Sequence, residues 1–305
     1  MTFDLYADLA AQSAVPAGTS LPADLVSGFV DGCASWSAKG GSQKNEGRRA
    51  YTERARSGKL TLPEELRLEP HFDSLPNGSW LGIEVGFTLL TPWYSKDDRA
   101  FHVLDNPVRK DGVFGMPYMP AASWKGLLRW ACRMQDGLLD HLERHDGKLD
   151  GWHDGDWLVH LFGNEKAATE GFGRGALAFH PTWFSNIGFE VINPHSRKTR
   201  AGTQPIYYEV VPVKTPGILR LLYAPLSGAA GPDKRASEAI GQLLDAIERL
   251  LTVYGISAKR TAGWGTAAIT GWKAYQRDSP VLTRPALAEF RTGLGSQISR
   301  GGNDG

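Results

Sequence analysis

Residues 116–129, MPYMPAASWKGLLR, place a rigid proline turn directly before a helix start that carries Ser123, Lys125 and Arg129. Apolar residues continue at helical spacing through Trp124, Leu127, Leu128, Ala131, Met134, Leu138 and Leu142. That period predicts one helix from Ala122 to His145, with Ser123 as its candidate cap. Upstream, residues 80–90, WLGIEVGFTLL, alternate apolar and polar side chains as a half-buried strand does, and Thr91-Pro92 ends it. About thirty residues separate strand and helix, and they hold Asp97, Asp98, Asp105 and Asp111 among prolines and glycines, which predicts a long loop.

Downstream of the helix, ALAFHPTWF (176–184), IYYEVVPV (206–213) and GILRLLYAPL (217–226) are rich in aromatic and branched residues and read as strands. A second helix is predicted from Asp233 to Tyr254, with Ile240, Leu243, Leu244, Ile247, Leu250 and Leu251 as its apolar stripe. It ends at Gly255, a residue type that tolerates the left-handed conformation common past helix ends. The loop ISAKRTAGWG (256–265) and a last strand, TAAITGW (266–272), follow. The order strand, helix, strand, strand, helix, strand is that of an α+β, ferredoxin-like (RRM-like) fold with a long insertion after its first strand. Three segments are expected: an N-terminal extension over 1–77, a core over 78–277 and a peripheral tail over 278–305. Within the extension, one short helix is expected at the start and another after Pro63.

With 41% hydrophobic residues in 305, the chain can bury a sizeable core, and wholesale disorder is excluded. Lys and Arg total 34 against 33 for Asp and Glu, so no global field draws the molecule to nucleic acid, and any such binding must come from local patches. Cys33 and Cys132 are too few for a disulfide framework or a four-ligand zinc site and read as reduced thiols. No apolar run approaches the roughly 20 residues of a membrane span, and the N-terminus is too polar for a signal-peptide core. A cytoplasmic protein without a membrane partner is expected.

Several positions carry chemistry. At the helix start, first-turn N–H groups together with Lys125 and Arg129, one turn apart on one face, could grip an anion; a capped surface helix has the same pattern. In the loop 255–265, glycines allow a tight concave run of N–H groups, Lys259 and Arg260 add charge and Trp264 offers a stacking face; a simple turn between helix and strand is the alternative. Arg197, Lys198 and Arg200 form a third basic cluster beside His195. The four loop aspartates could gather magnesium, or could simply be solvated. His141 and His145 stand four apart, without the adjacent glutamate of a zinc-protease helix, and read as surface residues. Trp80, Trp130, Trp157 and Trp183 read as packing residues, whereas Trp264 and Trp93 are candidates for base stacking.

Residues 116–129 resemble the PYIPGSSLKGxLR pattern of the RAMP superfamily, the proteins that hold RNA in type III CRISPR complexes, with Met119 at the branched position and Ala121-Ala122 in place of Gly-Ser. Residues 104–111, LDNPVRKD, resemble the acidic loop that precedes this pattern in the repeated backbone subunits, with Asp105 at the position of the cleaving aspartate. Leu161-Phe162-Gly163 with residues 174–179 looks like the family's LFG turn and the strand after it. Residues 190–195, EVINPH, with Gln204-Pro205-Ile206, are closer to the capping subunit of the Cmr module. Residues 255–265 resemble the C-terminal glycine-rich loop.

The resemblance implies a CRISPR RNA-binding subunit with Ser123, Lys125, Arg129, Arg109, Lys110, Lys259, Arg260, Gly263, Trp264 and Gly265 at the RNA. Its partners would be CRISPR RNA, a target single-stranded RNA and other RAMP subunits. It also implies target cleavage through Asp105, for which Mg2+ would be the cofactor and Asp105 a ligand; no constitutively bound cofactor is expected. Two other readings stay open. One is a stand-alone or guide-processing endoribonuclease using His102 and His195, and the other is an assembly subunit without direct RNA contact.

Overall fold

The computed structural model describes residues 49, 52–53, 55–56, 60–62, 64, 70, 72–97, 104–111, 115–164, 173–194, 202, 204–225 and 234–301. The first strand, β1 (Leu81–Leu89), shows the alternation written in its sequence: Leu81, Ile83, Val85, Phe87 and Leu89 are buried, with Glu84, Gly86 and Thr88 less so between them. After the long loop come β2 (Tyr118–Met119), α1 (Ala121–Gln135), α2 (Leu138–Arg144) and α3 (Asp156–Phe162). Then follow β3 (Leu177–Phe179), β4 (Thr182–Trp183), β5 (Gly188–Ile192), β6 (Ile206–Val210) and β7 (Pro216–Tyr223). The chain finishes with α4 (Lys234–Arg249), β8 (Ala267–Gln276), β9 (Leu282–Arg284) and α5 (Leu287–Gly301).

The main sheet has the order β3-β7-β1-β8-β9, and every pair in it is antiparallel. Taken as the first to fourth strands of a βαββαβ unit, β1, β3, β7 and β8 lie in the order second, third, first, fourth, which is the ferredoxin-like arrangement. The two crossover helices share one core with the inward residues of the sheet: Trp124, Leu128, Ala131 and Cys132 from α1, and Ile240, Leu243, Leu244 and Ile247 from α4. Trp124 meets the ring of Phe87 edge-on at 6.1 Å and donates its indole N–H to Thr182 Oγ1. On the other face of β1, Phe72 lies where a Gly82 side chain would be, within 2.6 Å of the Cβ that glycine lacks. The C-terminal end of the expected extension is therefore laid on the sheet, with Phe72 and Leu75 buried.

The structure departs from the sequence expectations at five places, the first being ALAFHPTWF, which forms two strands, β3 in the main sheet and β4 paired with β2 apart from it. The first helix breaks at Gly137, whose φ of 95° starts α2 in a new direction. Its N-cap is Pro120 and not Ser123, which lies inside the first turn and donates its N–H to Pro120 O; Ala121 and Ala122 are good helix formers and draw the start forward. IYYEVVPV does not join the main sheet, because β6 pairs only with β5 in a separate two-stranded hairpin. The tail is not peripheral: β9 extends the sheet, and Leu287, Phe290 and Leu294 of α5 are buried, with Phe290 stacked on Trp272 at 5.6 Å. The helices expected at the start of the chain and after Pro63 lie, save for Glu64, outside the described residues. No helix among the described residues is long and apolar enough to cross a membrane.

Candidate nucleic-acid interface

The glycine-rich segment forms a closed loop whose geometry requires glycine at its two ends. It leaves α4 through a single π turn, Leu250–Tyr254, and Gly255 and Gly265 adopt φ of 78° and 90°. A Cβ on Gly265 would stand 2.3 Å from Ser257 N, and Ile256 N donates to Gly265 O at 2.9 Å to close the loop. The segment after β1 runs beside it. Trp93 Nε1 donates to Ile256 O, Tyr94 N donates to Ser257 Oγ, and Ala258 N donates to Tyr94 O. Trp93 is thereby buried in the core and is not available to a base.

This loop carries its charges onto aromatic rings of other elements. The Arg260 guanidinium lies 4.3 Å from the centre of the Trp130 ring on α1, and Trp130 in turn packs edge-on against Tyr254. Lys259 Nζ lies 5.1 Å from the centre of the Tyr208 ring on β6, and Trp264 packs edge-on against the same ring at 5.6 Å. Burial pushes the Arg260 guanidinium below its usual value, and its Nη1 is buried with no hydrogen-bond partner. A buried guanidinium N–H left open beside a solvent-facing loop is a donor waiting for an acceptor. Gly263 is exposed at φ 78°, so the loop backbone is open to close approach there.

The loop meets the second half of α1 through Trp130, and Ala122, Lys125 and Gly126 are exposed in the first two turns of the same helix. Ser123 is half-buried in the first turn. Arg129 takes a different direction from Lys125. With Arg133 it clamps Asp154: Arg129 Nε donates to Oδ2 at 2.7 Å, Arg133 donates to both oxygens, and Trp152 Nε1 donates to Oδ1. Burial alone would raise the Asp154 carboxyl, but the hydrogen bonds from Arg133, Trp152 and Arg129 outweigh it and hold the group below the usual carboxylate value. The Lys125 and Arg129 pair expected to share an anion is thus divided between solvent and an internal carboxylate.

The acidic loop 104–111 is fastened to β6. Glu209 N donates to Asn106 O, Asn106 Nδ2 donates to Tyr207 O, and Val108 N donates to Glu209 Oε2. Lys110 Nζ stands 2.7 Å from both Glu209 oxygens, with the two side chains 1% and 0% exposed. Lys110 therefore does not reach solvent, and its expected contact with RNA is replaced by a buried ion pair. Arg109 is half-buried, its side chain donating to Lys96 O. Asp105 is exposed at the start of the loop, Asp97 is buried with Oδ2 3.4 Å from Lys110 N, and Asp111 is half-buried. Among the described residues no group of three or more His, Cys, Asp or Glu could hold a metal ion. Asp98, His102, His195, Arg197, Lys198 and Arg200 lie outside the described residues.

Of the remaining candidates, His141 is buried and stacks on His145 at 4.1 Å and edge-on against Trp152, so it is not the surface residue expected. Trp130 and Trp157 pack against the core, and Trp183 stacks on Tyr118. Sequence reasoning missed Tyr208, Glu209 and Asp154. The one usable signal was Glu209 itself, a carboxylate inside the apolar run IYYEVV, which demands a buried partner.

A family model described as the RAMP superfamily matches residues 86–268, from β1 through the glycine-rich loop into β8. None of the curated proteins compared matches the chain. Among solved structures, the chain is similar to one in a cryo-EM structure of the Type III-B Cmr-beta bound to cognate target RNA, at 18% identity and a TM-score of 0.51, over 76% of this chain and 74% of that one. It is also similar to a chain in a crystal structure of the Csm3-Csm4 subcomplex in the type III-A CRISPR-Cas interference complex, at 16% identity and a TM-score of 0.42, over 73% and 98%. At such identity the first likeness speaks for the fold.

Proposed function

Because the chain belongs to the RAMP superfamily, we propose that it is a CRISPR RNA-binding subunit of a type III effector complex, holding guide RNA across the start of α1 and the glycine-rich loop. The observation that carries this reading is the Arg260 side chain, its guanidinium over the Trp130 ring with a buried N–H lacking an acceptor. A phosphate oxygen supplies that acceptor and the charge that the site lacks. Lys125, exposed on α1, and Lys259, on the loop itself, add cations, and Gly263 leaves the loop backbone open to the RNA strand. Such a grip reads the sugar–phosphate backbone and leaves sequence to base pairing.

The test is the salt dependence of guide-RNA binding by the assembled complex. Lys125→Ala and Lys259→Ala should each weaken binding to all guide sequences alike and lower the salt slope by about one for each cation taken from the RNA backbone. Slopes equal to that of the unaltered complex would refute direct contact and favour the assembly-only reading. Repeat-RNA cleavage by the isolated protein would instead favour the guide-processing reading, with His102 and His195 as acid and base.

A second activity, cleavage of the paired target, is favoured by the place of Asp105: an exposed carboxylate on a loop fastened to β6. Its oxygens can orient the attacking 2′-hydroxyl or a hydrated cation at the scissile phosphate. Magnesium, which keeps several waters and needs only one or two carboxylates beside phosphate oxygens, suits a single Asp105 once RNA is bound and would polarise the phosphate. Asp105→Ala should leave guide binding intact and remove one periodic cut; unchanged cutting would remove Asp105 from the mechanism. Partners on this reading are the CRISPR RNA, the target RNA and neighbouring RAMP subunits.

A further inference from the structure

The Lys110–Glu209 ion pair is the most deeply buried pair of opposite charges in the described chain, and the core does not need its charge. Two charges taken out of water cost several kcal/mol, and an apolar pair of like volume commonly serves packing as well or better. An apolar side chain at 209 could not, however, accept a hydrogen bond from the loop. Glu209 Oε2 takes the Val108 N–H at 3.0 Å while both its oxygens hold Lys110 Nζ at 2.7 Å. The backbone of the same residue donates to Asn106 O, and Asn106 Nδ2 reaches Tyr207 O. Three alternate loop residues, 106, 108 and 110, are thus tied to two residues of β6, 207 and 209. The other edge is tied as well, with Arg109 N donating to Ser95 O. Asp105 is the exposed residue immediately before the first of these ties.

We propose that Glu209 and Lys110 are positioning residues that fix where Asp105 meets the target strand, and hence which phosphate is cut. The proposal rests on the reading that Asp105 faces target RNA. The ion pair neutralises the buried carboxylate, and the carboxylate in turn sets the register of the loop against β6. Because β6 also carries Tyr208, on which Lys259 and Trp264 rest, the loop at the target and the loop at the guide are referred to one strand. The distance from guide to cut is then built into the hairpin.

The experiment uses the reconstituted complex with a photo-crosslinking p-benzoylphenylalanine at position 105, and in parallel complexes that keep Asp105 for cleavage. Two double variants are compared. K110M/E209M removes the acceptor for Val108 N–H, whereas K110M/E209Q keeps an amide oxygen there and removes the charges. In the native background the crosslink should fall on one target nucleotide per copy of the subunit. K110M/E209M should spread it to neighbouring nucleotides and lower cutting by about a hundredfold, the scale of an ångström of misplacement, while K110M/E209Q should stay within about threefold of native in both readouts. Equal effects of the two double variants, or a crosslink unmoved by K110M/E209M, would overturn the positioning role. Should K110M/E209M fail to assemble, Asn106→Ala decides, since it removes only an exposed tie: a spread crosslink supports the proposal and an unmoved one overturns it. Absence of any target crosslink in the native background would refute the reading that Asp105 faces target, and the proposal with it.

Discussion

Replacing Asp154 by alanine should be among the most damaging single changes outside the main hydrophobic core. The carboxylate is 3% exposed and each of its two arginines 17%. It takes hydrogen bonds from Arg129, Arg133 and Trp152, and so ties α1 to the segment between α2 and α3. Removing one member of a buried ion pair costs about 3–5 kcal/mol; here each guanidinium keeps an edge in water, which places the loss near about 3 kcal/mol. For a domain of this size that is a fall in Tm of about 6–12 °C, measured by scanning calorimetry. The pH dependence identifies the cause. Asp154 titrates lower in the folded chain than in the unfolded one. Its contribution is therefore whole above the unfolded value, about pH 4, and is lost as pH falls through the folded value. The gap in Tm between the native chain and Asp154→Ala should be constant from about pH 8 to about pH 5 and close below about pH 4. A gap under about 2 °C at neutral pH, or one that widens on acidification, would refute the reasoning.

Gly126 lies in the second turn of α1, exposed and with nothing near its missing Cβ, so Gly126→Ala should stabilise the free chain by about 0.5–1 kcal/mol in calorimetry. If RNA passes over the start of α1, the same change should weaken guide binding, and unchanged affinity would move the RNA path elsewhere. Gly265→Ala forces a side chain into φ 90° and onto Ser257 N; a cost of at least about 1–3 kcal/mol is expected, with faster hydrogen exchange at the Ala258 amide that bonds Tyr94 O. Lys110→Met alone leaves the Glu209 carboxylate buried without its cation and should cost about 3–5 kcal/mol in denaturant unfolding, most of it restored in K110M/E209M. Additive losses in that cycle would refute the pairing.

The sheet was legible wherever burial follows sequence period. β1 alternates as written, and the stripe Ile240, Leu243, Leu244, Ile247 is the buried face of α4. The break at Gly137 was not legible, because a glycine inside a helical pattern is often tolerated and only its φ of 95° makes it a corner. The tail did hold a signal, Leu287, Phe290 and Leu294 at helical spacing, masked by the threonine, glycine and serine around it. At the candidate interface, the resemblance put residues of both α1 and the glycine-rich loop at the RNA, and Arg260 over Trp130 is the contact that joins the two. The fate of Lys110 could not be read locally. A lysine among aspartate, arginine and glycine reads as solvated, and the carboxylate that buries it lies 99 residues further along the chain.

The stitches between Trp93–Tyr94 and Ile256–Ser257 join residues 163 apart, and Thr91 meets Thr266 across 175. Closing such spans comes late in folding, after local helices and hairpins have formed. During synthesis the chain must leave the ribosome as far as Gly265 before the loop over Trp130 can take its shape. A nascent polypeptide stopped short of that point has its first helix and most of its core strands but no finished cradle. On the proposed reading, a chain that ends before Gly265 lacks the loop that would meet RNA.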